Sequence, residues 1–226
     1  MRRRVVIIGA GMGGLTAALR LAQQGLSVQI IEARPEAGGL ASSFENDGFL
    51  FDAGPYILLD RPGLEWAFRS LGLELSEHLT LRRIDHVYEV RSTENATVHF
   101  YADRQRTAAG IDAEWPGSGK RYERFVAEMQ DAHTRLSPLL HVSRPGPARL
   151  FRNRVFTQIP FLLRSLGTIL ARADLPQPVV EAIAIWTQIA GQPIDEAPSP
   201  MAFVPALIHS VGAFYQLKAS EVSRAR

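Results

Sequence analysis

Gly9, Gly11 and Gly14 stand in the order G-x-G-x-x-G, between the apolar run VVII at 5–8 and a segment of helical period. Each glycine answers a different demand of a pyrophosphate cradle. The first permits a tight turn off a strand, the second lets backbone approach a phosphate, and the third lets the helix pack closely on the strand. With Ala10, Met12 and Gly13 completing the loop, the helix start would offer unpaired N–H groups and partial positive charge to an anion. Glu32 closes a second apolar run about 20 residues on, where an acid accepts hydrogen bonds from a ribose hydroxyl pair and repels a 2′-phosphate.

A further loop refines the cofactor. Residues 33–44 read ARPEAGGLASSF, with Ala33, Arg34, the doublet Gly38-Gly39, and Leu40; GFLFDAGPYIL follows at 48–58, with Asp52, Gly54 and Pro55. A plain NAD site has no need of this second doublet. An extended FAD does, because its ribityl and flavin portions must run along backbone that side chains would block. The expected cofactor is therefore FAD. Arg34 is placed either to contact phosphate or adenosine, or simply to stand exposed beside the loop. Asp52 is read as holding its loop by local hydrogen bonds.

These residues need a βαβ unit to position them. Leu15, Ala18, Leu19 and Ala22 fall at i, i+3, i+4 and i+7, one apolar stripe directed at a sheet, and Gly25 suits a left-handed C-cap. Ser27 to Ile31 is predicted as a second parallel strand, short and buried. A short extended pair is expected through Phe44 and Phe49–Phe51, then a helix over Pro62–Leu71 ended by Gly72. Leu81–Val90 and Ala96–Tyr101 read as two strands around a polar turn. Tyr122, Phe125, Val126, Met129 and Leu136 then keep helical spacing up to Pro138. The Pro/Gly stretch at 143–149 is the clearest internal boundary in the second half. The predicted class is α/β: a Rossmann-like FAD-binding domain over 1–80, and an inserted, mainly helical α+β substrate domain over 81–226.

Composition narrows the remaining choices. The chain has 226 residues, 46% hydrophobic and 21% charged, with a net charge of +2, ordinary for a globular protein. Its basic residues are nearly all arginines, scattered rather than gathered among aromatics, so no nucleic-acid partner is expected. With no cysteine there is no disulfide framework or thiolate chemistry, which fits a cytoplasmic location. The basic start, Arg2 to Arg4 before an apolar stretch, resembles a signal peptide, but the glycine spacing and the immediate second strand explain it better. The histidines at 78, 86, 99, 133, 141 and 209 show no metal-ligand spacing, so no metal is expected. No serine sits in a G-x-S-x-G elbow. Phe156–Leu170 is apolar, with Arg152, Arg154, Arg164 and Arg172 around it. It is read either as a buried wall or as a face for peripheral membrane contact.

Together, GAGMGGL, the E-A-R-x-x-x-GGL segment and FDAGP resemble the N-terminal half of phytoene-desaturase-like flavoproteins, within the amine-oxidase-type superfamily. WPGSGKRYERF at 115–125 and residues 186–215 are similar to later segments of the same family. The resemblance implies an FAD-dependent oxidoreductase passing hydride between flavin and an apolar polyene or isoprenoid, with few catalytic side chains and none nominated. It also implies that His209 lies near substrate and flavin, where a tunable acid or base could act. The alternatives are an amine oxidase of the superfamily, whose usual arginine after the glycine doublet is replaced here by Leu40, and a non-catalytic dinucleotide-binding module. Family members run considerably longer, and a Pro-x-Gly-Gly turn is expected after Tyr215 but does not appear. The chain is accordingly expected to be C-terminally truncated, to bind FAD poorly alone and to show little activity.

Overall fold

A computed structural model describes residues 3–54, 57–92, 95–140, 142 and 144–217. The chain divides into two compact units, one of Met1–Arg82 with the chain from Tyr215, the other of Arg83–Phe214. The expected second domain, 81–226, thus differs at its end, and the stretch at 143–149 lies inside the second unit.

The first unit opens with β1 (Arg4–Ile8), α1 (Met12–Gln23) and β2 (Ser27–Ile31). The two strands are parallel and paired from Arg4↔Ser27 to Ile8↔Ile31. Leu15, Ala18 and Leu19 of the predicted stripe are wholly or partly covered, whereas Ala22 is exposed. Gly25 (φ +81) lies just beyond the helix end. β3 (Ser43–Asn46) and β4 (Phe49–Asp52) form an antiparallel hairpin, with Phe44 and Phe51 stacked at 5.5 Å. Next come α2 (Arg61–Ser70) and α3 (Leu75–His78). Asp60 caps α2 by accepting from Gly63 N at 2.9 Å, and Gly72 (φ +70) lets the chain turn after it.

β2 departs from its expected burial: Ile31 is 50% exposed, and Ile8 beside it 87%. Among the described residues this sheet has two strands, with α1 the main element packed on it, too little to cover both faces of a parallel sheet.

The predicted strand over Leu81–Val90 is in fact two: β5 (Thr80–Ile84) and β6 (His86–Arg91). They join different sheets. β6 pairs antiparallel with β7 (Thr97–Tyr101), while β5 pairs with β8 (Ala213–Leu217), and Asp85 at the break accepts from Ala102 N at 2.8 Å. Asp85 and His86 mark the break in LRRIDHVYEV, but sequence alone does not reveal a change of partner strand there.

After β7 come α4 (Arg104–Glu114), α5 (Ser118–Leu136), α6 (Pro147–Arg152), α7 (Ile159–Leu162), α8 (Leu166–Arg172), α9 (Gln177–Ala184), α10 (Trp186–Ala190) and α11 (Val204–Ser210), then β8. The core of this unit joins Val98 and Phe100 of β7, the buried face of α5, Leu166 and Leu170 of α8, and Val179 and Ile183 of α9. Tyr122, Phe125, Val126, Met129 and Leu136 are all buried on one side of α5, as their spacing predicts.

The segment WPGSGKRYERF turns out to be a helix corner. Gly117 (φ +84) ends the turn, and Asp112 Oδ1 accepts from Gly117 N and Gly119 N at 2.9 and 3.0 Å. A Cβ on Gly119 would lie 2.7 Å from Ala108 O, so glycine is what lets α4 and α5 approach. Among the described residues no helix is long and apolar enough to cross a membrane.

Candidate functional site

Three segments of the first unit meet at the start of α1. Gly9 turns the chain off β1 with φ +99, and its N–H donates to Ile31 O at 2.7 Å, locking the turn to β2. Gly14 serves packing: a Cβ there would sit 2.0 Å from Gly9 O. Gly11 differs from both. Its φ of −74° suits any residue, and a Cβ would meet only Gly39 Cα at an ordinary 3.9 Å. Among the described residues nothing sterically requires glycine at that position.

Gly11 sits at a helix N-terminus. The first intrahelical bond runs from Leu15 N to Gly11 O at 2.9 Å, so the N–H groups of Gly11, Met12, Gly13 and Gly14 have no partner within the helix. Their partial positive charge favours an anion there.

The second doublet lies alongside. Gly38 forms a parallel bridge with Gly11, and Gly38 N donates to Ala10 O at 2.8 Å. Gly38 and Gly39 take φ +128 and +62, backbone that side chains rarely permit, and a Cβ on Gly39 would press on Gly11 Cα at 3.1 Å. Ser42 Oγ, which the sequence pattern gives no reason to select, donates to Gly39 O at 2.7 Å and fixes this turn. Gly54 packs so closely on Leu40 that a Cβ would stand 2.2 Å from the Leu40 carbonyl oxygen. Pro55 lies outside the described residues.

Glu32 ties the segments together. Its Oε2 accepts from Ala10 N at 2.6 Å and its Oε1 from Arg34 N at 2.9 Å. These backbone bonds, Arg34's first and then Ala10's, hold the carboxyl below its usual range, so it stays ionised. Each oxygen keeps a second lone pair for a hydroxyl donor. Glu32 is therefore a loop anchor as well as the expected ribose ligand. Ala33 and the Arg34 side chain are exposed beside it.

The second unit holds a separate cleft of about 650 Å³, whose lining includes Arg83, Asp103, Arg104, Gln130 and His209. His209 is anchored on both ring nitrogens: Tyr122 OH lies 2.7 Å from Nε2, and Nδ1 lies 3.3 Å from Ala102 O. A neutral imidazole protonated at Nδ1 satisfies both contacts. Burial lowers the His209 pKa below its ordinary value and pushes the Tyr122 hydroxyl well above its own, so tyrosine remains the donor. Tyr122, far away in sequence, carries no sign of this pairing. The arrangement orients His209 structurally and leaves its ring part-exposed at the cleft.

Residues 7–69 match the family model for an NAD(P)-binding Rossmann-like domain. Among curated proteins the chain is similar to a zeta-carotene-forming phytoene desaturase of Myxococcus xanthus. The two are 39% identical over 126 residues, 56% of this chain and 24% of that protein. It also resembles a carotenoid 3,4-desaturase of Haloarcula japonica, at 27% identity over 82% of this chain and 38% of that protein. The matched stretches thus span well under half of these relatives. Among solved structures, wild-type putrescine oxidase bound to putrescine superposes with a TM-score of 0.60 at 20% identity, over 99% of this chain and 48% of that one. The chain therefore begins with an NAD(P)-binding Rossmann-like domain, follows about half of the putrescine oxidase fold, and is a sequence relative of the carotenoid desaturases.

Proposed function

We propose that this chain supplies the adenosine-pyrophosphate side of an FAD site in an oxidoreductase of the carotenoid-desaturase type. The observation that carries the proposal is the backbone apposition of Gly11 with Gly38 and Gly39 at the N-terminus of α1. It leaves N–H groups of a glycine-rich turn beside the Glu32 carboxylate. Gly9 through Gly14 would face the pyrophosphate, Glu32 the ribose, and Ala33, Arg34, Gly38, Gly39, Leu40, Gly54 and Pro55 the continuing cofactor. FAD supplies hydride chemistry when bound; the protein's part is to hold, orient and exclude water. The substrate class is an apolar polyene or isoprenoid, in keeping with the names of the sequence relatives.

A peripheral membrane face suits such a substrate. Phe151 and Leu163 are 75% and 81% exposed, Phe156, Ile159 and Leu162 are also exposed, and Arg152 and Arg154 lie on the same segments. Apolar side chains beside arginines match the chemistry of an anionic bilayer surface. Flotation with anionic liposomes at low salt tests it: recovery with the vesicles, lost in Leu163→Asp, is expected, and recovery only in the soluble fraction contradicts it.

The nucleotide proposal is tested by titrating the purified chain with FAD and with ADP. Because the residues proposed above would contact the ADP moiety, ADP should displace FAD competitively. Gly11→Ala should keep the fold and lower affinity by about tenfold or more, about 1.4 kcal/mol. FAD binding that ADP cannot displace, or that Gly11→Ala leaves unchanged, would overturn the assignment.

A further inference from the structure

From the β6–β7 hairpin we infer that the second unit carries a binding site for a borderline divalent metal such as Zn²⁺, made by His86, Glu89 and His99. It is separate from the nucleotide cradle and independent of the function proposed above. The geometry begins with strand register. Glu89 sits directly opposite His99 in the antiparallel pair, and His86 opposite Tyr101. On a regular strand His86 and Glu89, three residues apart, would face opposite sides of the sheet. A register shift between His86 and Tyr88 removes that mismatch, so both project from the face that carries His99.

One donor atom from each of the three then converges. His99 Nδ1 lies 3.2 Å from His86 Nε2 and 3.2 Å from Glu89 Oε2, and His86 Nε2 lies 4.0 Å from the same carboxylate oxygen. A tetrahedral ion with bonds of about 2.0–2.1 Å holds its ligand atoms about 3.4 Å apart. Two separations are already close to this value, and a small rotation of the Glu89 carboxylate brings in the third. The His86 ring is braced by stacking on Tyr101 at 4.9 Å. Two imidazoles and one carboxylate select Zn²⁺, Ni²⁺ or Cu²⁺ over Mg²⁺ and Ca²⁺, which prefer oxygen ligands. All three side chains are substantially exposed, so an ion can enter and a fourth position stays open to water. Bound metal would join β6 to β7 and stabilise the folded chain by mass action.

The test is a Zn²⁺ titration of the untagged chain by competition with a chromogenic chelator, alongside thermal unfolding. Expected are one equivalent of Zn²⁺ bound, no displacement by excess Mg²⁺, and a rise in Tm with Zn²⁺. Loss of a direct ligand in His99→Gln or Glu89→Gln should weaken binding by at least the roughly 10–100-fold that loss of an outer partner costs. His78→Gln should bind like the parent. The visible spectrum of bound Co²⁺ should have tetrahedral intensity in the parent and lose it in His99→Gln, with far-UV circular dichroism showing that the variant is folded. Absence of saturable one-to-one binding, or binding that persists in a folded His86→Gln/His99→Gln double variant, would overturn the inference.

Discussion

The two units divide chemistry from packing. The first gathers the glycine turns, the helix N-terminus and Glu32, yet apart from Ala10, Ala18 and Leu75 it buries almost none of its apolar side chains, and Ile8 is 87% exposed. The second buries Phe100, Tyr122, Leu166, Val179 and Ile183 completely. Backbone geometry that depends on glycine can be written in short local motifs and persists with little core behind it. A core needs contributions from distant segments, and here they come from β7, α5, α8, α9 and the segments following them. Stability should accordingly reside in the second unit and nucleotide recognition in the first.

Deleting a large side chain from the packed unit should have the largest effect. Phe100 is fully buried, stacked on Tyr88 at 4.5 Å and edge-on to Tyr122 at 6.0 Å. Phe100→Ala should cost about 3–5 kcal/mol, read from urea denaturation. A loss below about 1 kcal/mol, within the range of surface changes, would deny that unit its role.

In the first unit, neighbouring glycines should behave oppositely. Gly14→Ala drives a methyl group into Gly9 O, and such overpacking costs about 1–3 kcal/mol. It should also abolish nucleotide binding by moving α1 off β1. At Gly13 a Cβ meets nothing within 4 Å, and alanine there should stabilise α1 by up to about 1 kcal/mol. Equal effects at both positions would mean that helix–strand contact does not define the cradle.

The buried pair in the second unit gives a smaller, pH-dependent effect. Burial lowers the His209 pKa in the folded state, whereas the unfolded chain titrates near 6.5. As pH falls below about 6.5 the unfolded state takes up the proton first, so stability declines on acidification and is fully restored above that value. His209→Gln should flatten this part of the profile in denaturation measured at successive pH values. Tyr122→Phe, which removes the hydrogen bond, should cost about 0.5–1.5 kcal/mol at neutral pH. The smallest effect belongs to the exposed sheet: Ile8→Ser should change stability by no more than about 0.5 kcal/mol.

Legibility from sequence follows the same division. The βαβ unit, the hairpin through Phe44 and Phe51, the α2 stop at Gly72 and the buried face of α5 are local periodicities, and all could be read before the structure. The burial of β2 could not, because it depends on what covers the sheet. Nor could the break at Asp85, because the polar Asp85-His86 pair fits a strand edge as well as a change of partner strand, and pairing is set by distant segments. The Tyr122–His209 contact joins α5 to α11, and Glu32's second role as a loop anchor rests on hydrogen bonds to two separate turns. The His86–Glu89–His99 cluster escaped linear spacing because strand pairing and a register shift assemble it.

Hydrogen–deuterium exchange without FAD and at an FAD concentration that saturates the titration above tests the central claim most directly. The account predicts strong protection in β7 and α5 regardless of ligand, fast exchange in the loops of the first unit, and FAD-dependent slowing confined to residues 9–14 and 32–40. Slowing that appears in the second unit's cleft instead, or nowhere in the glycine loops, would contradict it.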